Sequence, residues 1–153
     1  MTVTLGDSLN KRIKHQLITK ISARPSVAKC YGYEKLPITE YPAVFVKYGS
    51  MDGEFATTAE NRRIYGYSVK IIVPTGKTLA EVTDDRLQWA EEAVGQVVEE
   101  IMNAIDTDFE LGQFNADVLY VRAIDVLYTD YSYEGGFASG AELTIQVVTD
   151  YTV

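Results

Sequence analysis

A chain of 153 residues with 46% apolar and 24% charged residues has the size and composition of one domain around a single core. One cysteine, Cys30, and one histidine, His15, exclude an internal disulfide framework and a Cys/His metal cluster within one chain. The net charge of −8 argues against non-specific DNA binding by the whole surface, and no run reaches the roughly 18 apolar residues of a membrane span. The N-terminus "MTVTLGDSLNKR" has no basic segment leading into an apolar stretch, so a soluble protein made in the cytoplasm is expected.

Charge is unevenly placed along the chain. Residues 1–35 hold seven Lys and Arg against Asp7 and Glu34, a net +5, and the remainder holds seven against twenty, a net −13. Such polarity suits a basic helix lying on an acidic body, head-to-tail pairing between subunits, or a basic face turned to nucleic acid.

Asp7 and Ser8 can cap a first helix in which Leu9, Ile13, Leu17 and Ile21 form one apolar stripe, with Lys11, Arg12, Lys14 and Lys20 on other faces as a basic face. Pro25 predicts its end near Ala23 or Arg24. A connection, "PSVAKCYGYEKLPITEYP", then leads to a first strand at Ala43–Gly49. In Arg63–Pro74 the residues Tyr65, Tyr67, Val69, Ile71 and Val73 alternate onto one face of a longer strand. The two pair as a hairpin that extends through Glu54–Thr57.

Thr83 followed by Asp84 and Asp85 caps the main helix, whose Leu87, Ala90, Val94, Val97, Val98, Ile101 and Ile105 recur at helical spacing, ending near Asp106. Gly95 within it is either a point of close backbone approach or incidental. "DVLYVRAIDVLYTDYSYE" and "AELTIQVVTDYTV" form a second hairpin across Gly135 and Gly136, with Leu143, Ile145 and Val147 on one face. The fold class expected is α+β: a two-layer, mainly antiparallel four-stranded sheet with two helices on one face, in the order α-β-β-α-β-β.

Few residues suggest chemistry. "VPTGKT" ends like a phosphate-binding loop, but the position of the required first glycine is Ile71, inside a strand, and the next helix starts only near Thr83. "DTDFELGQFNAD" has acids at calcium-loop positions, yet its sixth residue is Leu111 and its twelfth a short Asp. His15 reads as an exposed helix residue, and Cys30 lacks a partner that would make it a nucleophile. No catalytic residue, metal site or cofactor is expected.

The order of elements, together with "YPAVFVKYGSMDGEFATTAENRRIYGYSVKIIVP", the long acidic helix, "FELGQF" and the closing "AELTIQVVTDY", resembles the tail terminator (tail completion) proteins of tailed bacteriophages and prophages over roughly residues 5–153. The resemblance implies a structural virion protein of the tail or neck, assembled in the host cytoplasm. It would form a homo-oligomeric ring, usually a hexamer, on the head-proximal end of the tail tube. There it would stop polymerisation of the tube protein and meet the head connector or head-closure protein, with DNA passing through without sequence-specific binding and no membrane involved. Another neck component, a small ligand-binding or enzymatic α+β domain, and a nucleic-acid-binding module using Lys11, Arg12 and Lys14 are the alternatives. The two hairpins carry the expected subunit or tube contacts: Glu54, Phe55, Arg62 and Arg63 in one, Tyr131, Tyr133, Glu134 and Phe137 in the other.

Overall fold

The structure is a computed structural model that describes residues 8–35, 38–55, 60–115, 117–133 and 136–152. Helix α1 runs Leu9–Ser22, opened by the Ser8 hydroxyl, which accepts from the Lys11 amide at 3.2 Å. Its expected stripe is the buried one: Ile13, Leu17 and Ile21 are at most 1% exposed, and Leu9 packs at the core margin. The helix closes at Ala23, two residues before Pro25, because the residue preceding a proline is pushed out of the helical region.

The segment expected to be a plain connection contains a strand, β1 (Lys29–Tyr31), so the sheet has five strands and not four. Three residues carry too little alternation to announce a strand. This one exists because its backbone pairs in parallel with Ala43–Phe45 of β2 (Ala43–Phe55). β2 pairs antiparallel with β3 (Glu60–Gly76) as far as Phe55↔Asn61, which gives the extended hairpin; its tip, 56–59, lies outside the described residues. Helix α2 follows at Asp84–Thr107, capped by Thr83, whose hydroxyl accepts from the Arg86 amide at 3.3 Å. Strands β4 (Val118–Tyr133) and β5 (Gly136–Thr152) form the second hairpin.

The sheet order is β1-β2-β3-β5-β4, so the last strand lies inside the sheet between β3 and β4, and β4 lies at an edge. Both helices cover one face. Tyr65, Tyr67, Val69, Ile71 and Val73 of β3 and Leu143, Ile145 and Val147 of β5 meet Ile13, Leu17, Val94, Val97 and Ile101 in one apolar cluster. Leu87 departs from its expected place in the core: it is 40% exposed at the sheet edge. Gly95 has nothing within 4 Å of where a side chain would begin, so it marks no close approach. Tyr67 is fully buried, and its hydroxyl is satisfied by the backbone carbonyl (3.1 Å) and side-chain oxygen (2.5 Å) of Asn10, which fixes the start of α1 over the sheet.

A smaller apolar group, Ala43, Phe45, Ile72 and Ala138 with Tyr31, Ile38, Tyr41 and Tyr131, occupies the opposite face. Beside it Glu34 accepts from Lys70 at 2.6 Å and Lys47 at 3.3 Å, and the Lys70 ammonium lies 4.4 Å from the Tyr131 ring centre. Tyr131 crosses Gly140, where a methyl group would run into both the tyrosine ring and the Ile71 carbonyl.

The helices are tied by polar contacts at two points. Lys20 of α1 pairs with Asp108 at 2.7 Å, and Glu100 of α2 accepts from the Ser26 amide (2.9 Å), the Ser26 hydroxyl and the Gln96 amide (2.9 Å). Burial works against the Glu100 charge. The Ser26 and Gln96 donors and the field of Arg24 outweigh it, so its carboxyl is held below the usual range.

Two outcomes follow for stability. Gly140→Ala should lower unfolding free energy by about 1–3 kcal/mol, because the Ile71 carbonyl cannot withdraw without disturbing the sheet and the Tyr131 ring cannot without leaving Lys70 and Glu142, as urea titration would measure. Glu100→Gln should cost about 1–3 kcal/mol at pH 7. A depressed carboxylate stabilises above its unfolded pKa and loses that contribution as pH falls through the folded one. The gap between wild type and Glu100→Gln should therefore be full above about pH 5, where the unfolded carboxyl is ionised, and shrink as pH falls through the lower folded value. A gap that does not shrink as pH falls would contradict the charge-assisted role.

Candidate functional site

The positions whose sequence pattern suggests chemistry are occupied by structure. In "VPTGKT" strand β3 runs through Gly76, and the Lys77 amide, which a phosphate would need, donates to Glu81 Oε2 at 2.8 Å within a short helical turn, Leu79–Glu81. In the acidic loop, Asp108 is committed to Lys20 and to the Gly112 amide (2.8 Å). Gly112 and its neighbours Leu111 and Gln113 all take positive φ there, with Leu111 buried in the core. Cys30 is buried, and desolvation pushes its thiol up to about 12, which leaves it without thiolate at neutral pH. His15 is exposed on α1. Among the described residues no group of three or more His, Cys, Asp or Glu could hold a metal, and no helix is long and apolar enough to cross a membrane.

The contact residues expected on the two hairpins lie at two separate places. β5 starts beside Gly76 and finishes beside Glu60, so the β2–β3 tip and the β4–β5 tip lie at opposite ends of the strands. Seventeen residues of β5 separate them, about 50 Å at roughly 3.3 Å per residue. Glu54, Phe55, Arg62 and Arg63 share one end. Arg62 reaches Asp150 at 3.6 Å, and the Arg63 carbonyl accepts from the Thr149 hydroxyl at 3.1 Å. Glu54 and Phe55 are placed by backbone register alone.

At the other end are Tyr131, Tyr133 and Phe137; Glu134 lies outside the described residues. Tyr131 is half-buried against Lys70 and Glu142, and burial followed by the Glu142 carboxylate pushes its hydroxyl pKa up. Two exposed apolar residues that the sequence pattern did not single out join this end: Leu79 at 77% and Trp89 at 58% exposure. Trp89, Tyr41, Arg86 and Lys77 line a cleft of about 410 Å³ over the end of β3. The readable signal was Trp89 itself, a large apolar residue off the helix's buried stripe.

The charge asymmetry of the sequence becomes a spatial one. α1 packs over β1 and β2 at one side of the sheet, and α2 over β3, β5 and β4 at the other. On the first side a groove of about 570 Å³ is bounded by Lys11, Arg12, Lys14, Tyr48 and Phe114. The Lys14 ammonium sits 4.2 Å from the Tyr48 ring centre. Lys20, counted with this basic face, is instead turned to Asp108. On the opposite side a groove of about 300 Å³ is bounded by Leu87, Glu91, Val94, Tyr128 and Asp130.

Along β4 the exposed apolar residues continue: Leu119, Tyr120, Ile124, Leu127 and Tyr128. Clean alternation predicts one dry face and one wet face, and β4 lacks it, since "VLYVRAIDVLY" places apolar residues on both faces. That missing alternation was the signal in the sequence. An exposed, long, apolar edge strand is an interaction surface in natural proteins.

No family model and no curated protein matches the chain. Among solved structures it is similar to a chain of the virion of a native gene transfer agent particle, with a TM-score of 0.45 and 11% sequence identity over 94% of this chain and 96% of that one.

Proposed function

We propose that the protein is a structural, non-catalytic component of a phage-type virion, a tail terminator. Copies associate head to tail into a ring, a hexamer by resemblance to the terminator family, that caps the head-proximal end of the tail tube and offers its other side to the head connector. The observation that carries the proposal is the pairing of unlike surfaces at opposite sides of one sheet: a basic, aromatic groove at α1 and an acidic, apolar edge at β4. A patch that fits a different patch on the next copy produces rings, whereas a self-complementary patch produces two-fold dimers.

The two hairpin ends support the same role. With the ring axis along the strands, each copy sends its β2–β3 tip to one side of the ring and its β4–β5 tip to the other. One set of tips meets the tube and the other the head side, which gives a terminator two distinct docking surfaces. DNA passes through the lumen without sequence-specific contacts. The alternatives carried by the sequence, an enzyme or ligand-binding domain, would need a pocket with convergent titratable groups. The 410 Å³ cleft offers Lys77, Glu81 and Arg86 as its charged groups, with Glu81 accepting from the Lys77 amide.

The tips provide the test. Phe55→Ser and Tyr133→Ser should both leave the fold and the ring intact, as circular dichroism and native mass spectrometry would report. Each should abolish a different function, one the arrest of tube polymerisation by the cognate tube protein, the other attachment of capped tails to heads. Variants that both cap tubes and join heads normally would contradict the assignment of the tips.

A further inference from the structure

Besides the three-residue outer side of β1, the sheet has two longer places where backbone hydrogen-bonding groups face outward without a strand partner among the described residues. One is the whole outer side of β4, sixteen residues from Val118 to Tyr133. The other is the distal part of β2. β1 covers only Ala43–Phe45, so Val46–Phe55 is paired with β3 alone. Edges this long are covered, bent or charged in natural proteins, because unpaired strands recruit other strands. β4 is bulged twice, between Val118 and Tyr120 and between Ala123 and Asp125, yet keeps exposed apolar residues at Ile124 and Leu127. Its composition invites a partner.

We infer that the two edges are each other's partner: β4 of one copy adds antiparallel to the distal part of β2 of the next, so that the sheet continues from subunit to subunit. This rests on the ring proposed above and specifies its interface. Direction is the first argument. β2, β3, β5 and β4 are joined by three antiparallel steps, so β4 runs opposite to β2 within its own copy. Rotation about an axis along the strands preserves strand sense, and β4 therefore meets the neighbour's β2 antiparallel, as the rest of the sheet is built.

Side-chain level is the second argument. Lys47 is in register with Ser68, Ser68 with Thr144, and Thr144 with Asp125, all on the face away from the helices. Unstaggered edge pairing brings Asp125 against the neighbour's Lys47, an opposite-charge cross-strand pair. Lys47 shares Glu34 with Lys70, so that trio keeps a net positive charge for Asp125 to meet. On the helix face Tyr48 is in register with Tyr67, Tyr67 with Ile145 and Ile145 with Ala123, so the same pairing brings Ala123 and the exposed, bulged Ile124 beside the neighbour's Tyr48, at the rim of the groove that Lys11 and Lys14 line. A second copy supplies both the backbone partner and the charge complement.

Disulfide trapping tests this directly. Ile124 and Tyr48 lie on opposite edges of their own sheet, three strand spacings or about 14 Å apart, beyond the roughly 7 Å that a disulfide spans between Cα atoms. Oxidising a mixture of Tyr48→Cys and Ile124→Cys proteins should give a cross-linked dimer that neither gives alone. The double variant should give a ladder ending at the ring number, and Met51→Cys in place of Tyr48→Cys reads a shifted register. Asp125→Lys should abolish the ladder in the double variant, and adding Lys47→Asp should restore it. Closed rings with no ladder from either pair would overturn edge pairing and leave the ring standing. Cross-links from Ile124→Cys to the tube protein instead would overturn it by assigning the edge to the tube. A monomer both alone and on tubes would overturn the ring itself.

Discussion

An open sheet cannot satisfy its own edges. Every backbone N–H and C=O on the outer side of its terminal strands must find water or a partner, and the rest of this molecule is arranged around that constraint. The two helices seal one face, with Tyr67 and the α1 stripe fixing the first helix and the α2 stripe fixing the second. The other face is closed in part by Tyr31, Phe45 and Tyr131 and in part by the Glu34 ion pairs. What remains open is the perimeter, and there the exposed large apolar residues collect: Tyr48 and Met51 along β2, Ile124 to Tyr128 along β4, Leu79 and Trp89 at one strand end.

Electrostatics distinguishes one side of the perimeter from the other. A chain whose first 35 residues carry +5 and the rest −13 could have folded the basic helix onto its own acids and cancelled the difference. Among the described residues it does so locally, at Lys20 with Asp108 and in the field of Arg24 on Glu100. Lys11, Arg12 and Lys14 instead bound a groove at one side of the sheet, and Glu91 and Asp130 bound a groove at the other. Exposed charges contribute little to folding in water, so such a separation serves recognition more than stability.

Where the sequence could be read, one period governed one burial face. Ile13, Leu17 and Ile21, the odd positions from Tyr65 to Val73, and Leu143 to Val147 all lie where their spacing put them. The caps Ser8 and Thr83 also act as expected, since capping is local chemistry. Long-range pairing was illegible. β1 is a strand only because Ala43–Phe45 offers it an edge. The insertion of β5 between β3 and β4 is set by which apolar faces fit, and it carries the two hairpin tips to opposite ends. That placement divides a set of contact residues that composition alone groups together. Gly140 is similar: its need for a missing side chain becomes visible only when Tyr131 and the Ile71 carbonyl are brought against it.

The central claim is that unlike edges of one sheet join copies of this chain head to tail into a closed ring. Its most direct test is the mass and symmetry of the purified protein, by native mass spectrometry and class averages in the microscope, alone and on tail tubes. The account predicts a closed ring of identical copies with rotational symmetry, six-membered by the family resemblance, that dissociates as ionic strength rises. A compact monomer under both conditions, or a two-fold dimer that buries β4 against β4, would contradict it.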